Sequence, residues 1–127
     1  RACTDITGFG LLGHLLEMCD AGHVAASLEA EAVPTLDGVL GLASSGIHSS
    51  LKPGNDGALA ACAIAPRLTS HPIMAALTDP QTSGGLLAAV PAEQASSCLA
   101  KLRAGFIPAA LIGIIESRRG QSTITIE

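Results

Sequence analysis

The chain has 127 residues, 48% of them apolar but only 2% aromatic, with no Trp or Tyr and a formal charge of −4. That length suits one ordinary domain with a single core, and the lack of a basic run or an aromatic platform argues against nucleic-acid binding. Charged residues make up only 14%, low for a free-standing soluble domain, which points to a surface covered by a partner or by further chain.

Residues 2–6 read as a strand end or an extended entry, and Thr7-Gly8-Phe9-Gly10 as a turn. Leu11, Leu12, Leu15, Leu16 and Cys19 then recur at helical spacing, with His14, Glu17 and Asp20 on the other side. Ala21-Gly22 supplies a glycine stop. The run HVAASLEAEAVP sets Val24, Ala26, Leu28 and Ala30 against Ser27, Glu29 and Glu31, which predicts a half-buried strand ended by Pro34. Thr35 can cap a helix through about Ala43, with Ser44-Ser45-Gly46 as its stop. Residues 47–57, IHSSLKPGNDG, predict a long loop, and ordered loops of this length often carry function.

Residues 58–66 are alanine-rich and fit helix or strand equally. His71-Pro72 opens a short apolar run that stops at Thr78-Asp79-Pro80. Gly85 to Val90 reads as a compact apolar strand. Pro91 starts a helix whose polar face carries Glu93, Gln94, Lys101 and Arg103, and Gly105 stops it. Ala109 to Glu116 and Ser122 to Ile126 read as two further strands, with Arg118-Arg119-Gly120 as a hairpin turn between them. Four or five strands with three helices predict an α+β layered domain with a mixed sheet. No repeat, low-complexity segment or internal linker interrupts it.

Cys3, Cys19, Cys62 and Cys98 are widely spaced and form no metal-ligand pattern, so buried free thiols in a reducing, cytoplasmic setting are expected. Apolar stretches such as FIPAALIGII fall short of a membrane span, and RACTDITG does not resemble a signal peptide. No membrane partner is expected.

Two segments could carry chemistry: TDITGFGLLGH (residues 4–14) and TDPQTSGG (residues 78–85). Each places an Asp and hydroxyl side chains ahead of glycines, which let backbone amides approach an anion closely. Thr82 and Ser83 add hydroxyl donors beside Gly84-Gly85. Neither segment is a Walker A loop, lacking both spacing and Lys. Spacing alone leaves anion binding and turn or cap chemistry both open. A lone Asp5 before a helix is ordinarily a cap or turn acceptor. A magnesium site needs several oxygens, and the companions within the chain are Asp56, Asp79 and Asp37, which nothing in the sequence brings together. The four histidines are not paired at ligand spacing, so solvated or capping roles are expected for them. No GxSxG elbow supports a Ser-His-Asp triad.

ACTDITGFGLLGHLLEM and TDPQTSGGLLAAVP together resemble the C-terminal domain of the selenophosphate synthetase (selenide, water dikinase) family, and GIHSSLKPGN is similar to that family's small-residue loop. The resemblance covers essentially the whole chain, in the right order. A broader aminoimidazole ribonucleotide synthetase-like superfamily, including thiamine-monophosphate kinase and a hydrogenase maturation protein, shares weaker forms of both motifs. The resemblance implies the C-terminal lobe of that superfamily, a layered α/β/α domain, spanning residues 1–127. It implies a reaction of ATP, selenide and water to selenophosphate, AMP and orthophosphate, with Mg²⁺ and a monovalent cation. It further implies that Asp5 joins carboxylates of an N-terminal ATP-binding lobe to hold the metal, within a homodimeric enzyme. Thr7, Gly8, Asp79, Thr82, Ser83, Gly84 and Gly85 would line the cleft between the lobes. The family's glycine-rich segment with its catalytic Cys or selenocysteine and Lys has no counterpart in this chain, so no catalytic residue is carried over. A fragment of this kind is expected to be inactive alone. The competing readings are the same lobe from a sister ATP-dependent kinase or synthetase, and a non-catalytic binding or dimerisation module.

Overall fold

The computed structural model describes residues 2–118 and 120–127. Along the chain it forms β1 (Ala2–Asp5), α1 (Gly10–Gly22), β2 (Val24–Leu28), α2 (Val39–Ser44), α3 (Lys52–Asn55) and β3 (Cys62–Ile64). These are followed by α4 (Ile73–Thr78), β4 (Leu86–Ala89), α5 (Ala92–Ala104), β5 (Gly113–Ser117) and β6 (Ile124–Ile126). The α+β class read from the sequence is the class observed.

The strands divide between two sheets, not one. β2, β3, β5 and β6 form a four-stranded mixed sheet in the order β3-β6-β2-β5, while β1 and β4 pair as a separate antiparallel ribbon. β6 lies between two parallel neighbours, with Ile124 opposite Ala26 and Cys62, and Ile126 opposite Leu28 and Ile64. This aligns apolar side chains of three strands on one face. Ala26, Leu28, Ile124 and Ile126 are all buried there, against Leu12, Leu15 and Cys19 of α1 and Ile73, Met74 and Leu77 of α4. Leu12, Ile124 and Ile126 are each 0% exposed, so this junction is the centre of the core.

The expected hairpin between the last two strands does not form. β5 pairs antiparallel with β2, and β2 separates it from β6. Pairing β6 in the middle buries both isoleucines, which a terminal hairpin at the sheet edge would leave exposed on one side. Of the predicted turn Arg118-Arg119-Gly120, Arg119 lies outside the described residues. Arg118 donates from Nη2 to Asp20 Oδ1 at 2.5 Å and also contacts Thr123 Oγ1, tying the end of α1 to the approach of β6.

Other boundaries also shift. The strand predicted as far as Pro34 ends at Leu28, because Ala30–Ala32 folds into a 3-10 turn. Thr35 does not cap α2; that helix starts at Val39 after Gly38, whose φ of +85° suits glycine. The predicted loop 47–57 contains α3 and the start of a second 3-10 turn, Asp56–Ala61, and the ambiguous alanine-rich stretch ends in β3. The strand predicted over 109–116 begins only at Gly113. Helix α5 runs from Ala92 with Gly105 as its C-cap, as the sequence indicates. Cys19 is buried and Cys62 and Cys98 are half-buried, but Cys3 is exposed, against the expectation that all four thiols are buried. Among the described residues, no helix is long and apolar enough to cross a membrane.

The ribbon is held by close backbone contact. Ile6 N–H donates to Gly85 O at 2.9 Å, and a Cβ built on Gly84 would stand 2.2 Å from Ile6 O. Only glycine allows that approach. Gly84→Ala should therefore lower unfolding stability by about 1–3 kcal/mol, the usual cost of forced overpacking. Gly85→Ala, whose Cβ would meet nothing within 4 Å, should change it by less than about 0.5 kcal/mol; urea titration of both variants checks the contrast.

Candidate functional site

The two chemistry-bearing segments come together because β1 and β4 pair. Asp5 stands directly opposite Leu86, and Thr7 O accepts the Gln81 N–H at 3.0 Å. Thr7, Gly8, Asp79, Thr82, Ser83, Gly84 and Gly85 therefore share one end of the ribbon. Cross-strand partners point to the same face, so Cys3, Asp5, Leu86 and Ala88 share the ribbon's outer face, and all four are exposed. Thr4, Ile6 and Leu87 face inward.

Asp5 is not the cap of α1. It is the last residue of β1; the helix N-cap is Phe9, and no side chain caps it. Among the described residues the Asp5 carboxylate has no hydrogen-bond or ion-pair partner. The backbone N–H groups of Gly8 and Phe9, in the turn that follows, have none either. An exposed carboxylate thus sits beside unoccupied amide donors at the start of a thirteen-residue helix. The N-terminal end of that helix carries partial positive charge.

The turn is fixed from two directions. On one side stands His14, expected on the solvated side of α1 but in fact buried. Its Nε2 lies 3.1 Å from Thr7 N and 3.0 Å from Thr7 Oγ1, and its Nδ1 lies 3.2 Å from Glu17 Oε2. A backbone N–H can only donate, so Nε2 is the acceptor and the imidazole proton on Nδ1 faces Glu17. The Phe9 ring leans over the imidazole with centroids 5.6 Å apart. Gly13 leaves room for it, since a Cβ there would stand 2.7 Å from Phe9 Cβ.

On the other side, the segment read as a loop acts as a clamp. Asn55 Nδ2 donates to Gly8 O at 2.8 Å and to Thr78 O at 3.0 Å, joining both motifs through one amide group. Ser49 N–H donates to Asp79 Oδ1 at 2.9 Å. Thr78, fully buried, donates its hydroxyl to Asp56 Oδ1 at 2.7 Å, and Lys52 Nζ binds both Asp56 oxygens at 2.7 and 2.9 Å. Gly10, at φ +68°, passes so near that a Cβ would lie 2.9 Å from the Thr78 carbonyl.

These contacts decide between the carboxylates. Asp56 and Asp79 are occupied in holding the scaffold, and Asp37 lies on an exposed segment before α2. Among the described residues, no group of three His, Cys, Asp or Glu side chains could hold a metal ion. Among the described residues, Asp5 is the candidate carboxylate at this end of the ribbon that no protein group engages, and it can supply one ligand of a shared site but not a whole one. Two of the thiols are held protonated: burial pushes Cys62 up to about 11. Burial also raises Cys19, with Asp20 adding to the effect and Arg118 opposing it. His71 takes a capping role, accepting the Ile73 N–H at 3.2 Å.

Spacing gave no sign of Asn55 or Ser49, whose partners are remote in sequence. His14 did carry a signal, since it falls at helical spacing from both Leu11 and Met18 and so borders the apolar stripe.

Comparison with known proteins places the whole chain. The family model described as "AIR synthase related protein, C-terminal domain" matches residues 1–125. A selenide, water dikinase of Myxococcus xanthus (strain DK1622) is 41% identical over 92% of this chain and 33% of its own length. Proteins of the same name from Shewanella sp. (strain W3-18-1) and Shewanella baltica (strain OS185) are each 38% identical over 99% of the chain and 35% of their own length. The chain thus spans about a third of the length of the curated relatives it matches.

Burial works to raise the Asp56 carboxyl, but hydrogen bonds from Lys52 and Thr78, with the nearby positive charge, outweigh it and hold it below its ordinary value of 3.8. A depressed carboxyl stabilises the fold above its unfolded-state value, and that stability is lost as pH falls through the folded one. Unfolding stability should therefore drop as pH is lowered below about 4, and Asp56→Asn should flatten that acid limb in chemical denaturation followed against pH.

Proposed function

This chain belongs to the family of AIR synthase related protein C-terminal domains, and on that premise we propose that it is the C-terminal lobe of a selenide, water dikinase. The proposed reaction converts ATP, selenide and water to selenophosphate, AMP and orthophosphate. The observation that carries the proposal is Asp5: an exposed carboxylate, unpartnered among the described residues, beside a glycine turn, where no group of three His, Cys, Asp or Glu side chains could hold a metal ion. Such a group makes sense as one part of a site completed by another lobe.

The donor set fits Mg²⁺, a hard cation that takes oxygen ligands and uses few protein carboxylates when it also binds phosphates. Asp5 would hold it from this side, the remaining carboxylates coming from the ATP-binding lobe. When bound, Mg²⁺ supplies charge neutralisation on the transferring phosphoryl groups. The residues of this chain bind and orient. Gly8 and Phe9 present free N–H donors, and Thr82 and Ser83 present exposed hydroxyls, all suited to phosphate oxygens. Asp79 belongs to the same wall but serves it through Ser49. The close approach at Gly84 keeps that wall flush with β1.

The outer face of the ribbon supports a partner lobe there. Leu86, directly across from Asp5, is 77% exposed, and Phe9 in the following turn is 57% exposed. Covering them would dry the site as it forms, which strengthens charge interactions inside it. A homodimeric full enzyme, a monovalent cation requirement and a cytoplasmic setting complete the reading; the four free thiols suit a reducing compartment.

In the full-length enzyme, Asp5→Asn should lower the Mg²⁺-dependent rate of ATP consumption roughly a hundredfold, the scale of losing one electrostatic group at a transition state. A near-normal rate would remove Asp5 from the metal site. The isolated 127-residue chain should form no AMP from ATP and selenide; turnover by it alone would overturn the division between lobes.

A further inference from the structure

The proposed site explains Asp5 and the glycine turn, but not why an imidazole is buried under them. His14 occupies a position on α1 where leucine would pack, bordered by Leu11 and Leu15, which are both buried. Burying an imidazole without partners is costly. Here both ring nitrogens are satisfied, and among the described residues no buried side-chain polar atom lacks a partner. The contacts run in one direction along the ring. Glu17 Oε2 takes the Nδ1 proton and so leaves the Nε2 lone pair aimed at Thr7, where it faces both the backbone N–H and the hydroxyl. Phe9 covers the ring from the solvent side.

The effect falls on the residue that joins Asp5 to the free amides. Ile6 is locked to Gly85 and Gly8 to Asn55. Thr7 lies between them, its carbonyl accepting from both Gly10 N–H and Gln81 N–H. Among the described residues, its amide and side chain are held by His14 alone. Without that acceptor the Ile6–Thr7 peptide loses the hydrogen bond on its N–H, and the Thr7 hydroxyl loses its partner. The Gly8 and Phe9 N–H groups share planar peptides with the Thr7 and Gly8 carbonyls, which Gln81, Gly10 and Asn55 hold; the Ile6–Thr7 peptide that ties Asp5 to them is the link that is then no longer pinned.

We propose that His14 is a positioning residue for the phosphoryl-transfer site: through Nε2 it fixes the Thr7 turn, and thereby the alignment of Asp5 with the Gly8 and Phe9 amides. This rests on the functional reading above and deepens it. His14 would touch neither nucleotide nor metal.

The test uses the full-length enzyme and three variants. In His14→Gln the amide oxygen reaches about as far as Nε2 and can still accept from Thr7. In His14→Leu the volume is kept and the acceptor lost, and in His14→Asn a polar group is kept that is too short to reach Thr7. Hydrogen exchange at the Thr7 amide should quicken roughly tenfold in His14→Leu and stay within about threefold of wild type in His14→Gln, the scale of one lost hydrogen bond. The kcat for selenide-dependent ATP consumption should fall roughly a hundredfold in His14→Leu, as for misplacement of a reacting group. In His14→Gln it should remain within about fivefold, with the ATP KM little changed in both. If His14→Leu does not fold, His14→Asn takes its place with the same expectations. Unchanged Thr7 exchange, or a kcat loss as deep in the glutamine variant as in the leucine one, would overturn the proposal. A wild-type enzyme without selenide-dependent turnover would instead overturn the functional reading, and Thr7 exchange would still decide whether His14 holds the turn.

Discussion

Everything distinctive about this domain depends on the seam between Ile6 and Gly84-Gly85. The Ile6 amide bonds to the Gly85 carbonyl, and its own carbonyl fills the space that a side chain at position 84 would need. A single backbone approach of this kind converts two segments far apart in sequence into adjoining strips of one surface. Two-stranded ribbons are marginal on their own. This one persists because its inner face, Ile6 and Leu87, is buried in the main core. The core therefore stabilises the site's geometry without contributing any of its chemistry.

The seam is reinforced by side chains that give up chemical freedom. Asp56, Asp79, Asn55 and Thr78 are polar groups of the kind that bind substrates, yet each is engaged in protein contacts. Lys52 neutralises Asp56 and so keeps a half-buried carboxylate from becoming a cost. Among the described residues, what remains unengaged at this end of the ribbon is the Asp5 carboxylate, a few turn amides including those of Gly8 and Phe9, and the Thr82 and Ser83 hydroxyls. That economy separates scaffold from site by hydrogen-bond satisfaction and not by residue type.

Much of this was legible in the sequence, and the exceptions share a cause. Helical spacing located α1, alternation located the start of β2, and the Pro91 and Gly105 punctuation bounded α5. All of these are local signals, because each element's own neighbours along the chain decide its pattern. The place of β6 between β2 and β3, and the separation of the ribbon from the main sheet, are choices of partner; a three-residue strand carries no mark of which strand it will join. Ala30 looked like a strand residue because it is buried, but a 3-10 turn buries it as well. The pairing of β1 with β4 brings the eight candidate site residues to one end of the ribbon, which their spacing within each segment did not foretell. The residues that hold them there, His14, Asn55 and Ser49, are defined by contacts across the fold.

The central position of β6 has a consequence for how the domain comes into being. Ile124 and Ile126 are the innermost rungs of the sheet, yet their strand follows every other described element in chain order. Until they pair, β2 and β3 have no strand between them, and the leucine face of α1 has only half its floor. Parallel pairings between segments so distant in sequence are slow to close. The earlier elements therefore leave apolar surface uncovered until β6 inserts between β2 and β3, the kind of exposed intermediate that long-range pairing makes costly.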